Sequence, residues 1–186
     1  MATMIKSGKD VVSFLKGQHQ QVKSMMEDVS TRSGKERERA FFDLRRVLAV
    51  HETAEEEIVH PAARTAIPDG EREVKARLQE ENEAKKALTE LEGLDVDSAE
   101  FETKFGKLKT AVLAHAKAEE HEEFDRLADE LEPARLQRMR KAAELAEAMA
   151  PTRPHAGIES KAANMFAGPF AAMVDRSRDA LSGKGK

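Results

Sequence analysis

Apolar residues along this chain recur at spacings of three and four, and the strict alternation of a half-buried strand is scarce. β-Branched residues are sparse as well. Five breaks interrupt the pattern: Ser30 to Gly34, Pro68-Asp69-Gly70, Gly93 to Ser98, Glu132-Pro133 and Pro151-Thr152-Arg153-Pro154. They predict helices over about 9–30, 35–66, 70–92, 98–131 and 133–150. Asp97-Ser98-Ala99-Glu100 reads as a capping box before the fourth helix. Pro133 suits the first turn of the fifth. Pro61 should kink the second helix or end it near His60. Four long helices with short connections predict an all-α fold, an up-and-down antiparallel four-helix bundle over 1–131. An additional short helix follows over 132–150, and 151–186 is a basic, partly amphipathic C-terminal tail. In that tail Ala162, Phe166, Phe170 and Met173 form one apolar stripe broken by Gly168-Pro169. Such a stripe is expected to dock on the bundle or on a second subunit, in a monomer or a homodimer.

Composition narrows the chemistry. The chain has 186 residues, enough for one ordinary domain, with 35% charged residues and only 4% aromatic. It has no Cys, which excludes disulfides, thiolate zinc sites, iron–sulfur clusters and a Cys nucleophile. It has no Tyr, which excludes a tyrosinate ligand or a tyrosyl radical. No apolar run is long enough to span a membrane. The first residues lack a signal-peptide pattern, so a cytoplasmic location is expected. Residues 1–150 hold 25 Lys and Arg against 32 Asp and Glu, a net of −7, whereas 151–186 hold six against three, a net of +3. An acidic body argues against nucleic-acid binding. No Gly-rich phosphate loop and no Ser nucleophile in a strand–turn–helix context are present, so hydrolase chemistry has no support.

The informative residues are ionisable groups that fall on the apolar stripes. On the second helix the stripe is Phe41, Leu44, Val47, Leu48, Ile58 and Val59, with His51 and Glu55 in its middle. Glu52 and Glu56 fall towards its edge, while Glu57 and His60 point away. The fourth helix carries Phe101, Phe105, Leu108 and Val112, with His115 and Glu119 in the middle and Glu120 and His121 outside. Two helices thus share the insert His-x-x-x-Glu. On the first helix, Val11, Leu15, Val22, Met26 and Val29 form the stripe and His19 borders it. On the third, Glu81 sits near the centre of Val74, Leu78, Leu88 and Leu91, with Asn82 off to one side. His60, His121 and His155 are expected at the surface.

Buried carboxylates are costly without compensation, and several together raise each other's pKa. A metal centre resolves both problems. Imidazole and carboxylate donors suit iron, manganese or zinc. Residues at i and i+4 reach the same side of a helix, so each His can bind one ion while its Glu bridges to the next. The candidate ligands are His19, His51, Glu55, Glu81, His115 and Glu119.

These residues resemble the hemerythrin-like, or HHE cation-binding, family. The matching pieces are Gly17-Gln18-His19-Gln20 with Val22, His51-x-x-x-Glu55-Glu56 with His60-Pro61, and His115-x-x-x-Glu119-Glu120 with Phe124. The resemblance covers 10–131, and the rest looks like the extension of some bacterial members. It implies a four-helix bundle holding two iron ions in an oxo- or hydroxo-bridged centre. His19, His51 and His115 would be terminal ligands, with Glu55 and Glu119 bridging. The third helix departs from the family, whose usual His there aligns with Asn82; Glu81 is the better donor. A carboxylate in that place adds negative charge, favours the ferric state and argues against reversible dioxygen carriage. A ferritin-like site would need Glu-x-x-His on two helices, and only Glu57-x-x-His60 fits, off the stripe.

The expected function is therefore a di-iron protein that binds or reacts with small oxidants. Hydrogen peroxide is favoured, with catalase-like disproportionation as the reaction and Glu81 moving protons as the catalytic group. The alternative is a sensor of dioxygen, nitric oxide or iron without turnover. The donors imply no organic-substrate pocket, so the expected partners are small ligands, with no nucleic acid and no membrane. A third reading is a metal-free interaction bundle.

Overall fold

The computed structural model describes Met4 and residues 8–150, and within them every regular element is helical. The tail stripe and His155 lie outside the described residues. Helix α1 spans Val11–Thr31, α2 Gly34–Ala54, α3 His60–Ala66, α4 Gly70–Glu92, α5 Ala99–Glu119, α6 Asp125–Glu130 and α7 Pro133–Met149. Single π turns, Glu55–Val59 and Glu120–Phe124, join α2 to α3 and α5 to α6. The second and fourth rods of the bundle are therefore α2–α3 and α5–α6.

Local chemistry sets the boundaries. Asp10 opens α1 with a reciprocal cap, its carboxylate accepting from Ser13 N at 2.9 Å. Ser98 caps α5 by accepting from Phe101 N at 3.1 Å. The expected box with Glu100 is not formed: the cap falls one residue later than Asp97. Asp97 instead accepts from Gly34 N at 2.9 Å and ties the start of α2 to that of α5. Pro133 occupies the first turn of α7. Pro61 does not end its rod. The His60 N–H reaches Glu55 O, five residues back, and Pro61 enters the first turn of the helix that follows.

Two apolar clusters show how the rods run. One joins Val11, Phe14 and Leu15 at the start of α1 to Val59, Ala63 and Ile67, to Val74 and Leu78, and to Phe124, Leu127 and Leu131. The other joins Val22, Met26 and Val29 at the end of α1 to Phe41, Leu44 and Leu48, to Leu88 and Leu91, and to Phe101, Phe105 and Leu108. Starts and ends alternate from rod to rod in each cluster, which is an up-and-down antiparallel bundle. Helix α7 packs against α1 and α2 and adds Leu136, Met139 and Ala143 to the first cluster. In the second, Phe41 meets Phe101 and Phe105 edge-on at 5.2 and 6.2 Å, and those two rings stack at 5.7 Å. Such pairs add about 1 kcal/mol each beyond their buried area. Between the two clusters the core is polar.

Two glycines test this packing. A Cβ on Gly70 would lie 2.2 Å from the Ala63 carbonyl oxygen, so α3 and α4 meet backbone to backbone at their corner. Gly106 lies within α5 with open space around its missing Cβ. Gly70→Ala is expected to destabilise the chain by about 1–3 kcal/mol. Gly106→Ala is expected to stabilise it by about 0.5–1 kcal/mol through helix propensity alone. Urea denaturation of the two variants measures both, and equal shifts would refute the close approach at the corner.

Candidate metal centre

His51 and Glu55 close α2, and His115 and Glu119 close α5, each pair one turn apart and facing inward. His19 comes from the middle of α1 and Glu81 from the middle of α4. Antiparallel packing brings all six to one height, between the two apolar clusters. Glu55 and Glu119 are 0% exposed and Glu81 is 1% exposed. Two groups of donor atoms converge there. His19, His51, Glu55 and Glu119 form one, and Glu55, Glu81, His115 and Glu119 the other, with the atoms of each within 4.8 Å of one another. Glu55 and Glu119 belong to both. Asn82 belongs to neither.

The hydrogen bonds around these groups decide what the histidines offer. Each donates from Nδ1 to an outer acceptor: His19 to Glu120 at 2.9 Å, His51 to Gln18 Oε1 at 2.8 Å and His115 to Glu80 at 2.8 Å. The Gln18 amide is oriented by its own Nε2, which donates to Glu147 at 2.7 Å. With Nδ1–H committed outward, each Nε2 presents its lone pair to the centre, as metal-binding imidazoles do. The inner atoms stand close without hydrogen bonding. His51 Nε2 is 3.1 Å from Glu55 and His115 Nε2 is 3.2 Å from Glu119. His19 Nε2 lies 3.4 Å from Glu119 and 3.6 Å from Glu55. His19 Nε2, His115 Nε2, both oxygens of Glu55 and of Glu119, and Glu81 Oε2 are buried with no hydrogen-bond partner among the described residues. Atoms of this kind are rare in folded proteins unless something else satisfies them. A pair of cations at the two convergent points fits this donor set.

Comparison with protein families adds a decisive observation. The model described as the hemerythrin HHE cation-binding domain matches residues 10–127. The chain belongs to the hemerythrin HHE family. No curated protein and no solved structure matches it. The matched span contains all six convergent donors, and the HHE domain is a cation-binding one. Helix α7 lies beyond the match. Among the described residues no helix is long and apolar enough to cross a membrane.

Electrostatics in this hemerythrin-like core follow from its excess of carboxylates. Burial works against a charge on His19, but the carboxylates of Glu119, Glu120 and Glu55 around it outweigh it and raise the imidazole well above its usual range. His115 is raised in the same way, against burial, by Glu119 and Glu80. Burial and Glu119 push the Glu55 carboxyl up, yet His51 and His19 prevail and hold it low. Glu119 is held well below the carboxylate range, against burial, by His115 and His19. Further out, burial pushes Glu52 up to about 8 and Glu56 up to about 7, with Lys85 opposing both. Lys85 is buried and bonds Glu56, with Glu52 at 3.6 Å and Glu81 at 3.7 Å. The site draws positive charge, as protons or as metal ions.

Sequence periodicity places His60 at the surface, and the structure corrects this. His60 is 1% exposed, its Nε2 lying 2.7 Å from Glu81 and its Nδ1 2.8 Å from Glu123. The π turn explains the difference. One extra residue in the turn sets the following side chains back by about 100°, so His60 takes the inward phase of the position before it. The π turn of the α5–α6 rod does the same for Phe124, which is fully buried, while Glu123, on the stripe by period alone, is buried and forms a further donor group with His60 and Glu119. Glu120, placed off the stripe by periodicity, bonds His19 from the rim. Phe124 stacks on the His19 ring at 5.5 Å. His121 is exposed as expected. The structure also corrects the expectation of no organic-substrate pocket. A cavity of about 620 Å³ opens between α4 and α5 and reaches down to His51, Glu55, Glu81 and His115.

Lys85 is the buried cation that offsets Glu52, Glu56 and Glu81. Lys85→Met is expected to destabilise the metal-free protein by about 3 kcal/mol, because it leaves carboxylates buried without their partner. Denaturant unfolding after chelation measures this. A loss under about 0.5 kcal/mol, the size of an ordinary surface substitution, would show that the cluster does not depend on the lysine.

Proposed function

We propose that the chain is a non-haem di-iron protein that reacts with small oxidants, and with hydrogen peroxide in particular, by catalase-like disproportionation. The observation that supports this most is the pair of four-donor groups sharing Glu55 and Glu119. In this reading His19, His51, His115, Glu55, Glu81 and Glu119 would hold the two irons, with Glu55 and Glu119 common to both donor groups. Mixed imidazole and carboxylate donors suit iron. Two iron ions would supply one-electron oxidation and reduction and an open position for a small ligand. In the overall reaction one peroxide is reduced to two waters while a second is oxidised to dioxygen.

The chain's own groups do the remaining work. Glu120, Gln18 and Glu80 fix the three imidazoles through Nδ1. The apolar clusters above and below close the donors off along the bundle axis and leave the cavity between α4 and α5 as the approach to them. Glu81 is the catalytic group that takes up and returns a proton at its carboxylate, and His60 Nε2, 2.7 Å away, is positioned to exchange that proton with it. Glu123 on the other ring nitrogen keeps the imidazole charged and oriented.

Elemental analysis of protein purified in air without chelator is expected to give about two irons per chain, in line with two-metal sites of this kind. Dioxygen release on adding hydrogen peroxide should depend on that iron. His51→Ala and Glu55→Ala should each lower iron content and cost several kcal/mol of stability in the loaded protein, because metal binding is coupled to folding. Iron without turnover would return the sensing alternative, for dioxygen or nitric oxide. No metal after anaerobic ferrous loading, with both variants as stable as the parent, would leave a metal-free interaction bundle and overturn the proposal.

A further inference from the structure

The cavity between α4 and α5 is far larger than peroxide or dioxygen needs. Its volume of about 620 Å³ falls within the roughly 300–1,000 Å³ typical of small-molecule sites. A water molecule takes up about 30 Å³ in the liquid, so a peroxide would fill only a small part. Its walls are apolar and short: Ala84 and Ala87 from α4, Ala111 and Ala114 from α5, with Val22 and Leu48 behind them. Small side chains at facing positions leave the space between the helices unfilled. Polar groups converge at one end only. There Glu55, 0% exposed with both oxygens unpartnered, and Glu81, 1% exposed with Oε2 unpartnered, face the cavity beside His51 and His115. A cavity of alkyl walls is poorly hydrated and favours an apolar occupant. Glu52, Glu55 and Glu81 at the inner end and Glu80 and Glu83 nearer the rim outnumber the exposed Lys107 of the lining and disfavour an anionic head.

We propose that this cavity binds an apolar organic molecule with one neutral, oxygen-bearing head, an alcohol, phenol or hydroperoxide, its body against the alanine walls and its head towards Glu81 and His115. The walls carry this by themselves; only the contact of the head with the ions rests on the di-iron reading.

Cumyl alcohol, a nine-carbon aromatic alcohol and the reduced partner of an organic hydroperoxide, is the probe. Isothermal titration calorimetry on the full-length, iron-loaded protein is expected to show saturable binding. The double variant Ala84→Leu/Ala111→Leu fills the cavity without touching a donor and is expected to weaken binding at least about tenfold, the low end of what an occupied apolar pocket contributes. Ala114→Leu, at an exposed position, serves as a second variant should the first fail to fold. Iron content of each sample is read in parallel. No saturable binding to the parent, or equal binding by a folded variant, would overturn the proposal. Saturable binding without iron, lost in the variant, would uphold the cavity while the di-iron reading falls.

Discussion

Every rod of this bundle directs at least one carboxylate or imidazole into the level where the core would otherwise be most apolar. Glu55, Glu81, Glu119 and Glu123 are buried there within reach of one another. Isolated, four such charges would not be tolerated in an interior of low polarity. The arrangement around them is a set of answers to that charge. Lys85 answers Glu52, Glu56 and Glu81, and His60 answers Glu81 and Glu123. His19, His51 and His115 turn their Nε2 atoms towards Glu55 and Glu119 and anchor their Nδ1 atoms outside. Seven of the buried atoms left without a hydrogen-bond partner among the described residues gather at the two convergent points, namely His19 Nε2, His115 Nε2, both oxygens of Glu55 and of Glu119, and Glu81 Oε2, which is the concentration a cation-binding site requires.

The bundle was legible in the sequence because it rests on properties with short range. Spacings of three and four fix the buried stripes of α1, α4 and α5, and Val11, Val74, Leu88, Phe101 and Val112 are all buried where the pattern puts them. The repeated His-x-x-x-Glu needs only the 3.6-residue period to be recognised as two donors on one face. What eluded the sequence depended on a change of period. Past Glu55 and past Glu119 the helical phase slips by one residue. A wheel drawn through those points turns His60 and Phe124 away from the core and exaggerates Ile58, which is only half-buried. No residue type forces a π turn. The nearest clue was Pro61, a proline without a helix end, and it was compatible with a kink or a stop as well.

The cavity was illegible for a different reason. Ala84, Ala87, Ala111 and Ala114 are ordinary helix formers, and nothing in a single helix says whether a facing side chain will fill the space they leave. Only the pairing of α4 with α5 places small residues opposite small residues. Outer acceptors were hidden in the same way. Glu80 and Glu120 look like surface polar residues on their own helices and Gln18 only borders the α1 stripe, and they acquire a role only when an imidazole from another rod arrives beside them.

This dependence on packing has a consequence for how the site forms. The six convergent donors come from four rods, and no rod supplies more than two. The His-x-x-x-Glu pairs are local, but an isolated pair gathers only two donors. A full set requires α1, α2, α4 and α5 to be docked at the right height. Height is set by the apolar clusters above and below the polar level, so a change in either cluster acts on the donors without touching them. The π turns sharpen the point. They rotate His60 and Phe124 inward just where α2–α3 and α5–α6 pass the centre, and Phe124 packs on His19. Binding at this site is therefore a property of the closed bundle, and the free energy of holding cations contributes to keeping it closed.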